Sequence, residues 1–95
     1  WIDPVTYASG LRVPSPLGDR LVLRILRETQ GVADVASEES IREWTRRLAT
    51  ETAIDAAPED GCALAVLRDA VADGRVQASA EVVVFNTGAG ASYRA

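Results

Sequence analysis

The sequence contains no lysine, no histidine and no methionine, and its ten basic residues are all arginine. Without lysine, no side chain here can form a Schiff base with a carbonyl compound. Without histidine, the commonest general base and the commonest metal ligand are both missing. A self-contained zinc, serine–histidine or lysine-imine enzyme is thereby disfavoured, and no metal site is expected. The single cysteine, Cys62, cannot close an internal disulfide, which points to a reducing, cytoplasmic compartment. No apolar run approaches the roughly 20 residues needed to span a bilayer, so no membrane partner is expected. The formal charge of −4 argues against sequence-independent binding to a nucleic acid, which requires a basic footprint. The lack of methionine, with Trp1 at the front, leads us to expect a processed chain, an excised domain or a fragment.

What is present is a globular composition. Of 95 residues 47% are apolar and 25% charged, which fits one small domain or a piece of a larger one and not a disordered chain. Residues 1–16, punctuated by Pro4, Gly10, Pro14 and Pro16, read as an irregular loop. A first helix is expected over Leu17–Thr29. Leu17, Leu21 and Ile25, flanked by Val22 and Leu26, form its apolar stripe, and Gly31 follows near the C-cap position. Val32–Ala36 reads as a short strand. Ser37 is a good N-cap for a second helix over Glu38–Thr52, with Ile41, Trp44, Thr45 and Leu48 inside. Glu38 with Arg42 and Glu43 with Arg47 are i,i+4 pairs on its outer face. Ile54–Ala57 reads as another short strand. Pro58 suits the first position of a third helix over 59–73, apolar around most of its circumference and capped by Gly74. Glu81–Phe85 carries three consecutive valines, as in strands of a parallel sheet covered on both faces.

This order predicts an α/β fold, with residues 17–95 forming three helices that alternate with two or three short parallel strands. So few strands leave both sheet edges open, which leads us to expect a larger sheet or a dimer.

Several segments have a chemical reading beside a structural one. Phe85-Asn86-Thr87-Gly88-Ala89-Gly90 follows the buried strand, and ligands in open α/β sheets sit beyond the carboxyl ends of strands. Thr87 would place a neutral hydroxyl at that rim, or the segment is simply a glycine turn. A dinucleotide fingerprint is not expected here, because the five residues that follow Gly90 are too few to build the required helix. Arg20, Arg24 and Arg27 line one helix face, as a phosphate grip or as a solvated face balanced by Asp19 and Glu28. Glu59 and Asp60 are a carboxylate pair or first-turn partners of the helix dipole. Cys62 is a buried or a reactive thiol, Trp44 sits at core spacing, and Arg12 lies in a loop.

Three of these stretches, in this order, carry a resemblance: Ala8-Ser9-Gly10-Leu11-Arg12-Val13-Pro14-Ser15-Pro16-Leu17-Gly18-Asp19-Arg20, then Ala57-Pro58-Glu59, then Val84-Phe85-Asn86-Thr87-Gly88-Ala89-Gly90. Over nearly its whole length the chain resembles the C-terminal part of the threonine synthases, which are fold-type-II pyridoxal-phosphate enzymes with a tryptophan-synthase-β-like fold. The resemblance implies that the whole enzyme converts O-phospho-L-homoserine and water to L-threonine and phosphate. It implies a pyridoxal 5'-phosphate cofactor contacted by Asn86, Thr87 and Gly88, with the Thr87 hydroxyl hydrogen-bonded to the pyridine nitrogen. It assigns no catalytic residue to this chain. The lysine that holds the cofactor, an asparagine that contacts it and the glycine-rich phosphate cradle belong to an N-terminal remainder. That remainder and an amino-acid substrate are the implied partners, in a homodimer, and the 95 residues alone are expected to be inactive. Residues 1–95 would then be one portion of the catalytic domain. The chain departs from the family pattern at Asp60-Gly61, where a small-residue run is usual, and at Ala91-Ser92. Another fold-type-II lyase, such as threonine dehydratase or diaminopropionate ammonia-lyase, and a non-catalytic α/β dimerisation or regulatory module are the alternatives.

Overall fold

The computed structural model describes residues 1–94. Three α-helices form: α1 (Asp19–Thr29), α2 (Glu38–Thr52) and α3 (Pro58–Ala72). Short 3-10 turns occupy Ser9–Leu11 and Gly90–Tyr93. The chain divides into two compact units, Trp1–Asp34 and Val35–Ala95.

In the first unit, Ala8 is fully buried and its N–H donates to the Thr6 hydroxyl at 3.1 Å. Helix α1 starts two residues later than its apolar stripe suggests, with Gly18 at the N-cap. It ends at Gln30, in the left-handed region at φ 57°. Gly31 N–H then closes onto the Leu26 carbonyl at 2.9 Å, so the chain reverses here but one residue before the glycine. No residue of α1 is buried.

The second unit is built on α2 against α3. The Ser37 side chain accepts from Ser40 N–H at 3.1 Å, the cap expected from sequence, and Glu38 and Glu39 fill the first turn where the helix dipole favours them. Arg47 pairs with Glu51 at 2.8 Å and not with Glu43; both partners stand one turn away, and the C-terminal one has taken it. The Arg47 guanidinium also lies 4.2 Å from the Trp44 ring centroid. The two helices meet through small residues. Ile41 is buried on α2, and Gly61, Ala65 and Ala70 are buried on α3. At Gly61 the approach is closest. A Cβ there would fall on Thr45 Oγ1 and within 2.6 Å of the Ile41 carbonyl oxygen. Close backbone approach thus supplies the packing that bulky side chains provide elsewhere. After α3, Asp73 is the C-cap and Gly74 turns the chain at φ 84°.

The expected strands are not found among the described residues. Val32–Ala36, Ile54–Ala57 and Glu81–Phe85 contain no strand among the described residues. A strand exists only through a paired neighbour, and Val83 and Phe85 stand 84% and 80% exposed. The pairing that is found joins Ala56 to Ala89 and is antiparallel, whereas a parallel component was expected. The helical part of the α/β reading holds at nearly the expected bounds; the parallel sheet is not found among the described residues.

Candidate functional site

The glycine segment after Phe85 returns to the start of α3, and its backbone is tied there at several points. Ala57 N–H donates to the Gly88 carbonyl at 3.0 Å, and Gly90 N–H donates to the Asp55 carbonyl at 2.9 Å. These bonds flank the Ala56–Ala89 bridge. Thr87 N–H donates to Asp60 Oδ1 at 2.9 Å. With the Asn86 amide oriented to satisfy its neighbours, its nitrogen donates to Asp60 Oδ2 at 2.8 Å and to the Gly88 carbonyl at 3.0 Å. Thr87 and Asn86 are exposed residues, and Gly88 is half-buried.

Two further side-chain links hold the end of the segment. The Tyr93 hydroxyl donates to Glu59, and Arg94 grips Asp55 through two hydrogen bonds of 3.0 and 2.8 Å. The Arg94 guanidinium holds the Asp55 carboxyl below the usual carboxylate range. Gly90 is required by this packing, since a Cβ there would fall on Asp55 Oδ1 and within 2.9 Å of the Ala56 carbonyl oxygen. The chain's own Asp55 and Ala56 therefore account for the absent side chain.

The sequence singled out Glu59 and Asp60 as a pair, and the structure separates their surroundings. Glu59 is half-buried beside Tyr93, while Asp60 is 3% exposed under the turn. A buried carboxyl is costly unless hydrogen-bonded, and here both oxygens are engaged at the positive end of a helix. Sequence reasoning placed Thr87, Asn86 and Gly88 at the rim and missed Asp60 as their anchor. The signal was available as a departure: an acid where small residues are usual.

The other candidates stand apart from this cluster. Burial pushes the Cys62 thiol up, which makes it a poor nucleophile. Trp44 is half-buried, and its indole N–H is shielded without an acceptor among the described residues. Arg12, Arg20, Arg24 and Arg27 are exposed, and Arg24 lies 3.7 Å from Glu28. Among the described residues, no three His, Cys, Asp or Glu side chains stand together as metal ligands, and no helix is long and apolar enough to cross a membrane.

A family model described as "Pyridoxal-phosphate dependent enzyme" matches residues 2–88. No curated protein matches the chain.

Proposed function

Because the chain belongs to the pyridoxal-phosphate dependent enzymes, we propose that it is the C-terminal part of a threonine synthase-like enzyme that makes L-threonine and phosphate from O-phospho-L-homoserine. The family depends on pyridoxal phosphate, and the donor set here suits a non-covalent share of its site. There is no lysine to attach the cofactor. There is a neutral hydroxyl, on Thr87, at the end of a turn whose backbone is fixed. That combination of an exposed Thr87 and a pinned Thr87 N–H is the observation that carries the assignment.

In this reading the Thr87 hydroxyl hydrogen-bonds the pyridine nitrogen. A hydroxyl does not hold that nitrogen protonated as a carboxylate would. The cofactor supplies an electron sink for bonds at the substrate's α-carbon, and a hydroxyl partner tempers it. Asn86 and Gly88 act beneath Thr87 by closing the turn through the Gly88 carbonyl. The N-terminal remainder would bring the lysine and the phosphate cradle, in a cytoplasmic homodimer, and the 95 residues alone would be inactive. The exposed Val82–Phe85 run fits a strand that such a remainder pairs and covers.

The test is made on the full-length protein loaded with pyridoxal phosphate. Phosphate and threonine should form together from O-phospho-L-homoserine. Ammonia release from threonine or from diaminopropionate, with no threonine formed, would assign another lyase. Thr87→Asp should protonate the ring nitrogen, change the cofactor's absorption and raise the share of side products. An unchanged spectrum and product ratio would remove Thr87 from the site.

A further inference from the structure

We infer that Asp60 is a positioning residue for the cofactor contact: its buried carboxyl fixes the turn at Asn86-Thr87 so that the Thr87 hydroxyl is presented at one place. The inference rests on the reading above, in which Thr87 meets the ring nitrogen. Asp60 itself is 3% exposed, so its carboxyl acts on neighbours and not on a ligand.

Helix-dipole complementarity alone does not explain this residue. A first-turn acid gains that interaction while exposed to water. Asp60 is instead desolvated, a costly arrangement that persists only when specific donors compensate it. Those donors come from two consecutive residues, 26 and 27 positions along the chain: the Asn86 amide on Oδ2 at 2.8 Å and Thr87 N–H on Oδ1 at 2.9 Å. Two bonds from adjacent residues to the two oxygens of one planar group fix the rotation of the turn as well as its position. Asn86 then bonds the Gly88 carbonyl, which also accepts from Ala57 N–H, so the far side of Thr87 is held too. The backbone of Thr87 has little freedom left, while the residue is exposed. A binding group supported in this way keeps the geometry that a hydrogen bond to a ring nitrogen requires.

The experiment compares Thr87→Ala, Asp60→Ala, Asp60→Asn, Asn86→Ala and the Asp60→Ala/Thr87→Ala pair in the full-length enzyme. It measures cofactor release, the cofactor absorption band and hydrogen exchange of the peptide spanning residues 86–88. Thr87→Ala should speed cofactor release about five-fold, the size of one lost hydrogen bond. Asp60→Ala should match that and also deprotect the turn. Asp60→Asn should recover part of both, because its carbonyl oxygen still accepts Thr87 N–H while its amide nitrogen cannot accept from the Asn86 amide, which keeps its bond to the Gly88 carbonyl. In the double variant, release should be no faster than in Thr87→Ala alone. Where Asp60→Ala does not fold, Asn86→Ala decides: it should loosen the turn and speed release by a smaller factor. A turn that is deprotected by Asp60→Ala or Asn86→Ala while release stays at the wild-type rate overturns the inference, as do independent, multiplying effects of Asp60 and Thr87. A silent Thr87→Ala removes the reading beneath it. A silent Asp60→Ala beside an affected Thr87→Ala removes the positioning role alone.

Discussion

Helix α1 leaves Leu21, Val22 and Ile25 at 53%, 55% and 47% exposure and buries none of its residues, whereas α3 buries Pro58, Asp60, Gly61, Ala65 and Ala70. The helix with the cleaner apolar stripe is the one left open. The helix that is apolar nearly all round is covered by α2, its neighbour in sequence, and by the turn that returns from Phe85. An amphipathic pattern marks the face that favours burial; it does not name the partner. Small residues on α3 let α2 come close, and closeness rather than stripe quality decides which apolar atoms leave water here.

The contrast can be broken most directly by paired truncations. Ile41→Ala, at a residue 2% exposed on α2, should cost about 3 kcal/mol in urea unfolding. Ile25→Ala on α1 should cost only about 0.5 kcal/mol in the 95-residue chain, since half its surface is already wet and alanine favours the helix. Equal costs for the two in the full-length protein would show that the α1 face is covered there. Next in size is Gly61→Ala. Helix propensity alone would gain about 1 kcal/mol, but the clash with Thr45 and Ile41 should turn the net into a loss of about 1–2 kcal/mol. Gly18→Ala, with nothing within 4 Å of the added Cβ, should be neutral to about 0.5 kcal/mol. The smallest effect is electrostatic. Arg94 lowers the Asp55 carboxyl below its unfolded value, so this contact stabilises the fold above that value and is lost as pH falls through the folded one. The window therefore lies below about pH 4, and Asp55→Asn should flatten the acid limb of a stability profile slightly, less so in high salt.

The helices were legible because their causes are local. Ser37 caps with its own neighbour three residues on, and Pro58 opens α3 with no donor to leave unpaired. The strands are not found among the described residues, for the opposite reason. A run such as Val82-Val83-Val84 states that both faces favour cover, yet a strand is a property of two segments, and the second is not supplied among the described residues. The site was legible in part. Asn86, Thr87 and Gly88 were read from the turn chemistry and the resemblance. The Asp60 tie joins residues 27 apart, and no local periodicity encodes such a contact. Arg47 shows the same limit at short range, since two carboxylates one turn away satisfy the same rule and only the fold chooses between them.

The antiparallel link between Ala56 and Ala89 also sets an order in time. Helices α2 and α3 adjoin in sequence, so their contacts close a short loop and form early. The turn at Asn86–Gly88 must wait until the chain has passed Gly90 and Arg94 before both of its fastenings to Asp55 exist. On a ribosome the proposed cofactor contact therefore assembles after the α2–α3 pair. By the same logic, a cut just before Gly90 would release both fastenings to Asp55, loosen this corner first and leave the helical pair standing.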